Sequence, residues 1–247
     1  MYSVGAGLGA TTGYFAASAG LGVAVHFAIA ATFFASVCLW MAAVDWTFDR
    51  PKSGRRATIY ALPKGSLAIV ALVAFCASIG EGAMADWSAI FLVSVSEIGD
   101  ADAALEIAVF SVTMVIMRLV GDRFVARIGP TAAGRFAGVV ATSGIVIAAA
   151  FGSFGATLLG FALMGIGYAL IMPLAFTRAA ADGAMAPGAA IASVATLGYG
   201  GGMLGPPLIG FVAEATSIRL AFGLLTGFAL LIVVFAAAFR PPNANVG

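Results

Sequence analysis

The chain has 247 residues, 62% of them hydrophobic and only 9% charged, with a mean hydropathy of +1.08, whereas a soluble domain is roughly 25% charged. No soluble core can hide that much apolar surface, so a soluble enzyme or nucleic-acid-binding domain is excluded. A net charge of +1 says nothing about partners, because what matters is where the charges lie along the chain.

The apolar segments reach the ~20 residues that cross roughly 30 Å of hydrocarbon as helix, and in chain order they predict an all-α membrane protein with eight transmembrane helices. The predicted spans are 4–21, 23–44, 65–91, 103–120, 130–150, 156–176, 187–212 and 218–239. The first begins almost at Met1, and the first basic side chain other than His26 is Arg50, so the charged leading region of a cleavable signal peptide is missing. His26 opens the second span and reads as a structural interfacial imidazole. Cys38 and Cys76 fall inside apolar runs without a Cys-x-x-Cys spacing, which predicts buried free thiols and no disulfide or metal site.

A polar stretch with Arg50, Pro51, Lys52, Arg55, Arg56 and Lys64 separates the second and third spans and reads as a linker between two bundles. If that linker is cytoplasmic, alternate joints place eleven Lys and Arg residues inside and only Arg219 outside, which obeys the positive-inside rule. Both termini are then cytoplasmic. Glu97, Asp100, Asp102 and Glu106 collect in the outer joint after the third span, and Trp87 and Phe91 read as aromatics of the outer membrane interface.

The stretch 198–211, Gly-Tyr-Gly-Gly-Gly-Met-Leu-Gly-Pro-Pro-Leu-Ile-Gly-Phe, is the most distinctive in the chain. Gly201 and Gly205 are four apart, as are Gly198 and Gly202, so a helix here shows bare backbone to its neighbours and they can approach closely. Pro206 and Pro207 each remove a backbone donor and bend such a helix, which membrane proteins tolerate where protein or water re-satisfies the freed carbonyls. A shift of 197 residues pairs Tyr2 with Tyr199, Gly5 with Gly202, Gly13 with Gly210 and Ala16 with Ala213, an internal repeat six spans apart. If each bundle has six helices with the motif in its fifth, the chain holds the last two helices of one bundle and all of another, and four helices would be missing from the front.

These residues resemble the major facilitator superfamily. Gly201-x-x-x-Gly205-Pro206, closed by Gly210, resembles the glycine-proline signature of the fifth helix of a half, and Gly5-x-x-x-Gly9-Ala10-x-x-Gly13 is a looser copy. The joint Arg118-Leu-Val-Gly121-Asp122-Arg123, with Arg127 and Gly129, resembles the Asp-Arg loop after the second helix of each half, although Arg118 stands where a glycine leads that motif and Gly129 comes late. Glu81-Gly-Ala-Met-Ala-Asp86-Trp87-Ser88 is similar to bacterial members in the fucose-permease-like neighbourhood. The resemblance implies a bacterial inner-membrane secondary transporter with alternating access between two six-helix halves. Residues 1–45 would be the remnant of the N-terminal bundle, 46–64 a cytoplasmic linker, 65–240 the complete C-terminal bundle and 241–247 a cytoplasmic tail. Its partners would be the bilayer, a small-molecule substrate and protons, with no cofactor, no metal and no nucleic acid.

Glu81 lies about 16 residues into the third span, roughly 24 Å deep at 1.5 Å per residue, where an acid reads as functional unless it is merely solvated. Glu81, Met84 and Ser88 share a helical face by spacing and, with Asp86, are the candidate substrate or proton path. Arg118, Asp122, Arg123 and Arg127 are the candidate cytoplasmic gate, a set of salt bridges made in one state and broken in the other. Arg135 is expected to snorkel to the inner surface, and Arg178 to mark the inner interface. Gly5-Ala-Gly7-Leu-Gly9-Ala10 mimics a dinucleotide fingerprint, but no strand precedes it. Two other readings are a subunit completed by a separate four-helix piece, and an intramembrane enzyme. The second needs paired polar catalytic groups at one depth, which these residues do not offer convincingly.

Overall fold

A computed structural model describes residues 2–44, 62–96 and 100–242. Among them the chain is helical with no strands: α1 (Tyr2–Ser18), α2 (Val23–Ala43), α3 (Ser66–Ser96), α4 (Asp100–Ile128), α5 (Pro130–Phe151), α6 (Phe154–Ala169), α7 (Ile171–Ala180), α8 (Pro187–Ala215) and α9 (Ile218–Phe235), the last prolonged by a 3-10 turn, Ala236–Phe239. Taking α6 with α7, and α9 with its 3-10 turn, these are the eight predicted spans. Among the described residues five segments are long and apolar enough to cross a membrane: Val23–Ala43, Ser66–Val95, Pro130–Phe151, Phe154–Ala180 and Ile218–Phe239.

The chain divides into two compact units, one of residues 8–57 and one of residues 58–247 together with the first seven. In the smaller unit no residue of α2 is buried, and Cys38 is exposed rather than buried. Its apolar side chains point outward because a helix made to sit in lipid needs no polar face. The linker segment 45–61 and Glu97 lie outside the described residues.

In the larger unit α3 is the central helix, touching α4, α6, α7, α8 and α9. Its buried side chains, from Leu67 through Val70, Val73, Ala74, Ala77 and Met84 to Leu92, form the spine of the core. The tightest seam is the one with α8, built on absent β-carbons. A β-carbon on Gly205 would stand 2.6 Å from the Ile79 carbonyl oxygen, and one on Gly201 would collide with the Phe75 carbonyl. The seam is reciprocal, since a β-carbon on Gly82 would meet the Gly202 carbonyl oxygen at 2.6 Å. Pro206 has no N–H to give to that carbonyl four residues back, and the backbone of Gly82 lies against it instead. The glycine-proline stretch thus packs as closely as its sequence predicts, within a helix that continues through both prolines to Ala215. Gly5, Gly9 and Gly13, its proposed counterparts in α1, have nothing within 4 Å of where a β-carbon would be, among the described residues.

Two predicted boundaries change. The sixth span is broken between Ala169 and Ile171 because Pro173 cannot donate to the Ala169 carbonyl. The fourth is longer at both ends, 29 residues from Asp100 to Ile128, so the supposed Asp-Arg loop is helix and the turn is confined to Gly129, which takes φ 84° ahead of Pro130. Two other joints carry serine caps: the Ser153 hydroxyl accepts the Ala156 N–H at 3.4 Å and the Ser217 hydroxyl the Leu220 N–H at 3.3 Å. Arg219, the basic residue left outside by the charge count, lies over Gly152 at the C-terminus of α5, where a guanidinium faces the negative end of the helix dipole.

Candidate functional site

Glu81 stands at the exact midpoint of α3, fifteen residues from Ser66 and fifteen from Ser96. A helix of 31 residues is about 46 Å long, so the carboxyl is as far from either end as the helix allows. Its Oε2 lies 3.8 Å from Nη2 of Arg118 on α4, with 18% of the Glu81 side chain and 25% of the Arg118 side chain exposed. Oε1 is buried with no hydrogen-bond partner among the described residues. A charge at this depth is costly alone, and an opposite charge nearby is the usual compensation. At 3.8 Å the pair attracts without locking into a short hydrogen bond.

The pairing is readable from helix register. Glu81 is 15 residues before the end of α3 at Ser96 and Arg118 is 18 after the start of α4 at Asp100, so if the two helices run antiparallel they bring the pair within about 4.5 Å of one level. A long side chain that leans toward the N-terminus of its helix closes the difference. Arg118 therefore parts from the other gate candidates. Asp122, Arg123 and Arg127 are exposed along the last two turns of α4 and form no ion pair with one another among the described residues.

The supposed face of Glu81, Met84 and Ser88 is not an open one. Met84 is fully buried, and Ser88 is buried with its hydroxyl donating to the Met84 carbonyl. By helical register the two share the side of α3 that carries Phe91, which packs on Phe161 of α6 and Phe222 of α9. Asp86 is exposed and, with Trp87, Pro206, Pro207, Gly210 and Glu214, lines an open cavity of about 760 Å³ between α3 and α8. Glu214 was not singled out from sequence, where it reads as one more interfacial acid near a helix end. Trp87, expected among the interfacial aromatics, is half-buried between α3 and α8. Its indole N–H donates to the Pro206 carbonyl at 2.9 Å, and its ring fills the space that a side chain at Gly210 would need. Phe91 is fully buried, stacked with Phe222 at 4.3 Å between ring centroids and with Phe161 at 6.0 Å.

Arg178, expected at the interface, is buried at 7% exposure. Its Nη1 donates to Asp182 at 2.9 Å and its Nη2 to the Ser66 hydroxyl at 2.9 Å, tying the end of α7 to the start of α3. The four-residue spacing of Arg178 and Asp182 is a visible sequence signal, whereas Ser66 is 112 residues away. Arg135 is exposed and shares with Thr131, Gly129 and Arg240 the lining of a cavity of about 460 Å³ at the N-terminus of α5.

No family model matches the chain. It is 41% identical over 242 residues to an uncharacterized transporter, y4wD, of Sinorhizobium fredii, covering 97% of this chain and 64% of that one. It is 33% identical over 240 residues to an uncharacterized MFS-type transporter of Yersinia pestis, covering 97% of this chain and 61% of that protein. A membrane protein of Rhizobium meliloti, MosC, is 30% identical over 199 residues, 78% of this chain and 49% of MosC. The chain thus spans less than two thirds of the length of these relatives. Among solved structures it is similar to the major-facilitator transporter FucP in its outward conformation, with a TM-score of 0.61 at 20% identity over 89% of this chain and 55% of FucP. A second structure, of the E. coli fucose:proton symporter FucP, gives a TM-score of 0.62 at 19% identity, over 88% of this chain and 55% of that one. By sequence and by fold, the chain is a relative of the major facilitator superfamily transporters and carries part of their fold.

Proposed function

We propose that this chain is the larger part of a secondary carrier that moves a small solute by alternating access, coupled to protons, with Glu81 as the titrating carboxylate. The observation that carries the reading is the Glu81–Arg118 pair at 3.8 Å, half-way along α3. An acid at mid-depth held loosely by one cation can exchange a proton without dismantling the core. Asp86, at the cavity beside Pro206, lines the approach from the outer side. Asp122, Arg123 and Arg127 form the inner gate with partners from the opposite half. Met84 and Ser88, both buried, shape α3 rather than touch solute.

In this reading residues 65–240 make the C-terminal half and residues 1–45 belong to the N-terminal half, joined by a cytoplasmic linker. The basic residues on one side of the predicted spans support cytoplasmic termini in a bacterial inner membrane. Coverage of 64% and 61% of the two most fully matched transporters supports a working carrier longer than this chain. Names that include transporters and no enzyme favour transport over intramembrane catalysis.

The test joins the chain behind the N-terminal segment of the Sinorhizobium relative and screens labelled sugars, amino acids and organic acids in proteoliposomes under an inward proton gradient. The joined protein should accumulate a solute that the isolated chain does not. Glu81→Gln should abolish gradient-driven accumulation while solute exchange persists. A Glu81→Gln protein that matches the parent in rate and pH dependence removes the proposal, and so does uptake by the isolated chain at the rate of the joined one. For the gate, a cysteine placed at Asp122 should change its accessibility to a water-soluble reagent when solute is added.

A further inference from the structure

Tyr168 on α6 is completely buried, and its hydroxyl has no hydrogen-bond partner among the described residues. A buried hydroxyl left unmatched is unfavourable by about 1–3 kcal/mol, so the position calls for an explanation. The ring lies against Gly80, the residue before Glu81, so closely that any β-carbon there would collide with the tyrosine oxygen. Glu81 is within electrostatic reach of it. Two buried, unmatched polar atoms, Tyr168 Oη beside Gly80 and Oε1 of the next residue, Glu81, therefore belong to the region where α3, α4 and α6 converge. Neighbouring contacts fix that convergence: Gly165 of α6 seats on Phe110 and Thr113 of α4, and Gly121 of α4 faces Leu170.

We propose that Tyr168 is the partner of protonated Glu81, so that the carboxyl has two addresses: ionised, it faces Arg118; protonated, it donates its O–H to Tyr168 Oη. The proton comes from water and ends on Glu81. Tyr168 keeps its own proton, and the Arg118 guanidinium keeps its charge while the carboxylate's attraction for it is lost. The proposal rests on the reading of Glu81 as a titrating group and adds the residue that receives its acid form.

Surrounding groups leave the choice to these two. From α4 the group facing Glu81 is Arg118 and from α6 it is Tyr168. On α3 itself Cys76 is buried and Asp86 is exposed. Arg178 of α7 is held by Asp182 and Ser66, Glu214 of α8 lines the cavity beside Asp86, Tyr199 of α8 is exposed against Phe176, and Arg219 of α9 lies over Gly152.

The test is infrared difference spectroscopy of the purified chain in lipid nanodiscs, titrated with acid, for the parent, Glu81→Gln and Tyr168→Phe. The parent should show a protonated-carboxyl band that Glu81→Gln lacks. In Tyr168→Phe that band should move to higher frequency and its midpoint should fall by about one pH unit, since one hydrogen bond to the neutral form is lost. A band and midpoint unchanged in Tyr168→Phe, or a midpoint that rises, overturns the inference and leaves the titrating carboxyl standing. Absence of any band that depends on Glu81 sinks both. Should Tyr168→Phe not fold, ring-labelled tyrosine in the parent decides: a C–O stretch shifting with the carboxyl midpoint supports the pairing, and no tyrosine shift refutes it.

Discussion

Gly205→Ala is the sharpest probe of the α3–α8 seam. The added methyl carbon would lie 2.6 Å from the Ile79 carbonyl oxygen and 3.2 Å from the Ile79 Cα, both backbone atoms that no rotamer change can move. Carbon and oxygen rest at about 3.3 Å or more, so the seam must open by about 0.7 Å, through a row that also includes Gly201 against Phe75 and Gly202 against Gly82. Overfilling a packed site is unfavourable by about 1–3 kcal/mol, while replacing glycine by alanine within a helix returns up to about 1 kcal/mol. The net loss is about 1–2 kcal/mol, which for a chain of this size lowers the melting temperature by about 2–8 °C. Gly200→Ala is the control, since nothing lies within 4 Å of its position and only the favourable helix term applies. Thermal unfolding of both variants in nanodiscs, followed by tryptophan fluorescence, compares them directly. A Gly205→Ala protein that melts at or above the parent temperature, or no lower than Gly200→Ala, refutes the backbone-to-backbone seam.

Trp87→Phe removes the indole bond to the Pro206 carbonyl, a loss of about 1 kcal/mol, and should lower the melting temperature by about 2–4 °C. It should also make Gly210→Ala better tolerated than in the parent, because the ring that a β-carbon there would strike at 2.9 Å is smaller; equal effects of Gly210→Ala in both backgrounds would contradict that contact. Arg178→Ala strands Asp182 at 11% exposure and should destabilise by about 3 kcal/mol, with much of the loss recovered in the Arg178→Ala, Asp182→Ala double variant. Equal melting of single and double variants would show that the pair is not coupled.

The spans were legible because lipid demands long apolar segments whatever their neighbours, and the tight face of α8 because glycine spacing permits little else. Other features depended on choices that one segment cannot reveal. Phe91 near a helix end has two apolar destinations, lipid or core, and only the arrival of Phe222 and Phe161 decides for the core. Arg118 looked like part of a charged loop because basic residues usually end a span, yet α4 runs ten residues further because the chain turns only at Gly129. Pro173 did announce the break after Ala169, and a strict reading of its missing N–H would have divided the sixth span.

The same packing bears on how a carboxyl in the middle of the bundle could work. Helix α3 is fastened to its neighbours at three levels: to α7 through Ser66 and Arg178, to α8 through Gly82 and Gly202, and to α8 again through Trp87 and Pro206. Toward α4 its polar link is different in kind, a charge pair 3.8 Å apart. A motion that separated α3 from α8 would have to part backbone from backbone along a row of glycines. A change between Glu81 and Arg118 breaks no short hydrogen bond between the two. If the carrier rocks about this lobe, α3 and α8 move as one body, and the proton acts on the side where α3 is held by charge rather than by contact. A disulfide joining cysteines placed at Ala74 and Gly198 should therefore leave transport by the complete protein intact, and loss of transport on oxidation would show that the seam itself must open.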